Sequence, residues 1–275
     1  MMDRTLAGKL PGAVDLADAE DHAAHDPITR LLAWGVHIYT ALGLVLAAGI
    51  AVLLVRGGAD AFRWSFGMML IATLIDATDG TLARRIRVKA VLPNFDGRKL
   101  DDLTDFLTYT FLPLFLIWRA ELLPASAQGW LVLPLLASAY GFCQVDAKTE
   151  DGFFLGFPSL WNVVAFYLYV LHLPGWLALA FVVALSLLTF VPSVYLYPSQ
   201  PGRLNAVSNA LGVVWACLLI AILFRLPADS YPQAEDTAVT RWLALASLAY
   251  PAFYLAASWT ITLRRWRGIA HDSGS

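Results

Sequence analysis

Eight apolar runs, at roughly 31–55, 61–86, 101–122, 129–147, 158–173, 175–197, 204–226 and 239–263, take up most of this 275-residue chain. A helix needs about 20 apolar residues to cross a bilayer, and in hydrocarbon each span must satisfy its own backbone polar groups. The runs therefore predict an all-α, polytopic membrane bundle of about eight helices. With 59% hydrophobic and 15% charged residues, a soluble domain is excluded. The net charge of −2 leaves no basic excess to attract nucleic acid. Cys143 and Cys217 fall inside apolar runs without metal-ligand spacing, so they read as packing residues.

An even number of spans puts both termini on one side. Arg4, Lys9, Arg30, the cluster Arg84, Arg85, Arg87, Lys89, Arg98 and Lys99, then Lys148, Arg203, Arg264, Arg265 and Arg267 collect on one face. Arg56, Arg63, Arg119, Arg225 and Arg241 fall on the other. The positive-inside bias makes the first face cytoplasmic, termini included. Residues 1–28 read as a flexible cytoplasmic tail without the apolar segment of a signal peptide, 29–267 as the transmembrane domain, and 268–275 as a second tail. Pro113, Pro134, Pro192 and Pro251 lie within the expected spans.

Against this apolar background stand "DATDGTLARR" (76–85) and "DDLTD" (101–105). On a helix Asp76, Asp79, Gly80 and Ala83 share one face, with Arg84 beside them. Gly97, Asp101 and Asp105, spaced by four, form a second stripe, and Asp102 is rotated about 100° away. Two antiparallel helices bring the stripes together near the cytoplasmic boundary. Four carboxylates so placed need strong compensation. An all-oxygen set without His or Cys suits Mg²⁺ or Mn²⁺, and four Asp can hold a pair of ions in the arrangement used for phosphoryl chemistry. The bland alternative, solvated acids at helix ends, does not explain two matched pairs with glycines on adjacent spans.

The positions Asp76, Asp79, Gly80, Ala83 and Arg84, followed by Gly97, Asp101 and Asp105, also match the signature D-x-x-D-G-x-x-A-R…G-x-x-x-D-x-x-x-D. By it the chain resembles the CDP-alcohol phosphatidyltransferase family over about residues 31–265. The gap "RIRVKAVLPNFD" has twelve residues where the family usually has eight. That longer gap, "VHIYTALG" (36–43) and "KTEDGFFLGFPSLWN" (148–162) are similar to bacterial phosphatidylcholine synthases.

The resemblance implies a six-helix core plus two further spans in a bacterial inner membrane. It also implies transfer of a phosphatidyl group from CDP-diacylglycerol to choline, releasing CMP. In that frame Asp76, Asp79, Asp101 and Asp105 hold Mn²⁺ or Mg²⁺, as two ions, and Asp105 is the candidate general base. Gly80, Ala83, Arg84 and Gly97, with His37 and Thr40 of the first span, line the CDP-diacylglycerol site. Choline has a quaternary ammonium, which is held by aromatic faces and carboxylates; Tyr109, Glu150 and Trp161 are its expected contacts, among the aromatic and acidic residues Tyr140, Asp146, Asp151, Phe153, Phe154 and Phe157. Membrane lipids surround the bundle, and its apolar surface permits a homodimer. Three alternatives stay open. The same chemistry can serve serine, inositol or glycerol phosphate as acceptor; an intramembrane prenyltransferase would need a second Asp-rich motif; a divalent cation transporter would place its acids near mid-bilayer.

Overall fold

The computed structural model describes residues 26–145, 149, 152–197, 202–226 and 237–272. The tail before residue 26 lies outside them. The first helix, α1 (Pro27–Arg56), begins where Asp26 caps it, its carboxylate accepting from Thr29 N at 3.0 Å and Thr29 Oγ1 at 2.8 Å. The bond from the Thr29 backbone, then that from its hydroxyl, holds the Asp26 carboxyl below its ordinary range. Helix α2 (Ala59–Ile86) runs back and stops at Arg87, which takes a left-handed conformation at φ 55°. A short α3 (Val88–Val91) then leads to α4 (Gly97–Asp105), capped by Asp96.

Helix α4 continues without a break through a π-turn (Phe106–Phe111) into α5 (Leu112–Arg119). Pro113 explains the wide turn. It has no N–H for the carbonyl of Tyr109, four residues back, and its ring crowds that carbonyl. Leu112 N–H accordingly reaches five residues back, to Leu107 O. A 3₁₀ stretch (Ala125–Leu131) opens into α6 (Val132–Cys143). After it come strand β1 (Phe153–Leu155), α7 (Trp161–Leu171), α8 (Gly175–Leu188), strand β2 (Val194–Leu196) and α9 (Arg203–Arg225). The last rod is broken into α10 (Thr237–Ser247) and α11 (Ala249–Asp272), because Pro251 crowds the carbonyl of Ser247.

The protein is a helical membrane bundle, as its apolar runs predict. Helices at Pro27–Arg56, Ala59–Ile86, Arg203–Arg225 and Ala238–Gly268 are long and apolar enough to cross a membrane by themselves. Side chains such as Leu31, Val45, Leu74, Val213, Phe224 and Trp242 point outward, a surface suited to lipid. Cys143 and Cys217 are also on this outer surface, not packed in the core. The helix ends fall at Pro27 and Asp272, so residues 27–28 and 268–272 are helical where tails were expected.

The fifth and sixth rods depart most from expectation. At 11 and 14 residues, α7 and α8 reach only about 16 and 21 Å, less than the ~30 Å hydrocarbon core. The sixth span was expected to run to residue 197, but Pro192 crowds the carbonyl of Leu188 and the helix ends there. Helix α7 can be short because it is the centre of the molecule. Trp161, Ala165, Phe166, Tyr167, Leu168, Tyr169 and Val170 are all buried, with Phe166 edge-on to Phe66 of α2 at 5.4 Å.

Residues freed by Pro192 form β2, antiparallel to β1 with Phe154 opposite Tyr195. The pairing joins the connection after the fourth rod to that after the sixth, so both lie at one end of the bundle. A two-stranded sheet leaves an open edge. Here a helix covers it: Thr262 Oγ1 accepts from Val194 N at 2.9 Å, Ser258 Oγ accepts from Leu196 N at 3.2 Å, and Tyr254 Oη donates to Leu196 O at 2.9 Å. Spaced by four along α11, these hydroxyls replace a third strand.

Thr262→Val combined with Ser258→Ala should leave two buried backbone N–H groups without partners, at about 1–3 kcal/mol each. We expect a clearly lower thermal midpoint in detergent, with Thr262→Ser close to wild type.

Candidate functional site

Helix α1 is the platform on which the acid-bearing helices sit. Its Tyr39 hydroxyl is 2.9 Å from Thr78 Oγ1, and the next residue, Thr40, donates to Asp79 Oδ2 at 2.7 Å. These consecutive contacts fix α2. On the other side, Gly43 lies so close to α4 that a methyl group there would collide with Thr104 Cγ2. The missing side chain is what lets α4 approach.

With both helices set against α1, one carboxylate oxygen each from Asp76, Asp101 and Asp105 comes within 4.8 Å of the others. All three residues are half-buried. Three like charges this close repel unless a counter-charge is shared, and the donors are all oxygen, the chemistry of a hard divalent cation. The group can hold a metal ion. Neither Asp102 nor Asp79 is part of it. Asp79, 6% exposed, is turned toward Thr40 on α1.

The remaining expected residues are distributed around this centre. Tyr109, in the π-turn, is buried and donates its hydroxyl to Asp76 Oδ2 at 2.8 Å. Gly97 faces His37 so closely that an added methyl would sit 2.5 Å from the imidazole Cε1. His37 is 7% exposed, packs against Phe95 at 4.4 Å between ring centres, and its Nε2 has no hydrogen-bond partner among the described residues. His37 and Thr40 are thus both in the neighbourhood of the α2–α4 mouth. A methyl on Gly80 would lie 3.3 Å from Arg84 Nη1, so this turn is tight as well. Arg84 is exposed, and its Nη2 donates to Thr81 at 3.1 Å. Ala83 packs with Val88, Val91 and Leu92 of the connector against Ala33 and Val36 of α1. The twelve-residue gap is therefore folded and docked.

Trp161 is not at this centre's surface. It is fully buried, edge-on to Phe157 at 5.6 Å, with Nε1 donating to Ser138 Oγ at 2.8 Å. A ring closed on all sides in this way is a core residue, which removes the reason for counting it as a choline contact. Glu150, with Asp146, Lys148 and Asp151, lies outside the described residues. Phe153 and Phe154 belong to β1, under Arg265 at 4.5 Å and against Tyr197 at 4.6 Å respectively. Tyr140 packs on Phe190 at 5.0 Å. Two participants are absent from the sequence reading: Phe95, which covers His37, and the Gly43–Thr104 approach. The first had a signal in the long connector, the second in the glycine three residues after Thr40.

No family model matches the chain. Curated relatives do. It is 40% identical over 204 residues to a phosphatidylcholine synthase of Pseudomonas aeruginosa, covering 74% of this chain and 84% of that protein. The corresponding protein of Bradyrhizobium diazoefficiens is 38% identical over 218 residues, covering 77% and 80%. That of Legionella pneumophila is 37% identical over 232 residues, covering 81% and 86%. With identity at this level running through most of both chains, and the carboxylate-bearing helices drawn together as the motif anticipates, the chain belongs to the phosphatidylcholine synthase family, a branch of the CDP-alcohol phosphatidyltransferases.

Proposed function

We propose that the protein transfers the phosphatidyl group of CDP-diacylglycerol to choline, giving phosphatidylcholine and CMP, at the centre formed by Asp76, Asp101 and Asp105. The observation that carries this reading is the convergence of those three carboxylates, from two helices of the bundle, within 4.8 Å. The family membership supplies the substrates. Asp76, Asp101 and Asp105 would hold Mn²⁺ or Mg²⁺, with Asp79 able to contribute to a second ion by turning from Thr40. A bound divalent ion supplies charge neutralisation at the diphosphate and at the leaving CMP.

The chain's own groups do the rest. The choline hydroxyl oxygen attacks the phosphorus bearing diacylglycerol, the bond from that phosphorus to the CMP oxygen breaks, and the hydroxyl proton passes to the Asp105 carboxylate. Gly97 leaves room for the His37 imidazole, so that Gly97, His37 and Thr40 shape the α1 side of the nucleotide site, while Gly80 keeps the α2 backbone bare and Arg84 meets phosphate oxygens. The imidazole Nε2 without a partner suits a polar ligand atom. Choline is assigned to the neighbourhood of Tyr109, with Glu150 as the acid proposed from sequence. The site opens on the cytoplasmic face of a bacterial inner membrane, with both termini on that side, and the pairing of β1 with β2 supports the connections after α6 and α8 lying on one side.

Purified protein given CDP-diacylglycerol and a panel of alcohols should form phospholipid with choline and release CMP. Product with serine but none with choline would overturn the choice of acceptor. Asp76→Asn, Asp101→Asn and Asp105→Asn should each lower turnover at least about a hundredfold in folded protein. Excess chelator should abolish activity, with Mn²⁺ or Mg²⁺ restoring it; full rates in chelator would exclude the metal reading. Gly43→Leu, which forces α1 away from α4, should slow turnover about a hundredfold through misplacement alone.

A further inference from the structure

Tyr109 has a different place from the one its aromatic face suggests. It is 9% exposed, and its hydroxyl donates to Asp76 Oδ2 at 2.8 Å across the gap between two helices. Asp76 is one of three carboxylates that repel one another, so its side chain gains by turning outward unless something holds it in. A phenol that donates a hydrogen bond to one oxygen restrains the turn of the whole carboxylate relative to Asp101 and Asp105. The support continues behind it. Thr73, one turn before Asp76 on α2, lies within reach of the same phenol and accepts from Asn162 Nδ2 of α7 at 3.2 Å. The π-turn matters as well, since Pro113 denies Tyr109 O its usual partner and the chain there is held in a wide turn rather than a standard one.

We infer that Tyr109 is a positioning residue for metal capture, a buried phenol presented by the π-turn that fixes the Asp76 carboxylate in the orientation needed to share a divalent cation with Asp101 and Asp105. The inference rests on the metal reading proposed above. It assigns the hydroxyl to the ligating carboxylate, where choline recognition would use only the ring.

The test is Tyr109→Phe, which removes one oxygen and keeps the ring. Purified, monodisperse protein in detergent, without either substrate, is titrated with Mn²⁺, and the free ion is followed by its paramagnetic resonance signal. The variant should bind Mn²⁺ about 10–100-fold more weakly than wild type. Tyr167→Phe, which removes a buried phenol bonded to Ser247 in the core, should bind it as wild type does. Unchanged Mn²⁺ affinity in Tyr109→Phe, with or without a raised choline KM, overturns the inference and leaves the metal reading standing. A wild-type protein that takes up no Mn²⁺ sinks the metal reading and this inference together. If Tyr109→Phe does not fold, 3-fluorotyrosine at 109, a stronger donor of nearly the same shape, must shift Mn²⁺ affinity, and no shift overturns the assignment.

Discussion

Three carboxylates can stay close inside an apolar bundle only if the helices carrying them are pressed together by something stronger than their mutual repulsion, and in this protein α1 supplies that pressure. The hydroxyls of Tyr39 and Thr40 bind α2 at Thr78 and Asp79, while the bare backbone of Gly43 admits α4 at Thr104. Neither contact involves Asp76, Asp101 or Asp105 directly. Each sets the distance at which those three meet. The connector between α2 and α4 closes the third side, with Val88, Val91 and Leu92 seated against Ala33 and Val36. The acidic centre is thus an outcome of apolar and small-residue packing around one helix.

The core divides into two parts with different tasks. The larger apolar cluster gathers around α7, whose burial on nearly every side frees it from spanning the hydrocarbon. Its polar atoms are matched within the bundle: Tyr167 meets Ser247 and accepts from Trp215, and Trp161 donates to Ser138. In a medium without water these matches are the only means of hiding such groups. The smaller cluster sits at the mouth and serves the connector. Rigidity behind the reacting groups and a docked cover beside them are what orientation of a lipid-linked nucleotide requires.

Much of this was legible in the sequence because the signals were periodic. Eight apolar runs and the spacing of Asp76, Asp101 and Asp105 needed only the geometry of a helix to be read. What stayed hidden depended on prolines and on partners distant in the chain. Pro192 ends α8 through the carbonyl four residues before it, and Pro113 widens the turn that carries Tyr109, whereas a hydropathy reading treats both as tolerated within spans. Trp161 read as a recognition residue since interfacial tryptophan and recognition tryptophan look alike in sequence; only Ser138, 23 positions away, shows that its N–H is committed. The orientation of Asp79 toward Thr40 is hidden for the same reason, as it depends on a hydroxyl 39 residues earlier.

The hydroxyl ladder of Tyr254, Ser258 and Thr262 has a consequence for the order in which the molecule is made. The strand it clasps, β2 in the connection after α8, leaves the ribosome well before α11 does. Until that helix has entered the bilayer, the backbone of Val194 and Leu196 must find temporary partners in water or headgroups. This end of the bundle is therefore buttoned late, and membrane insertion of the final hairpin becomes the step that turns a set of inserted helices into a finished catalyst.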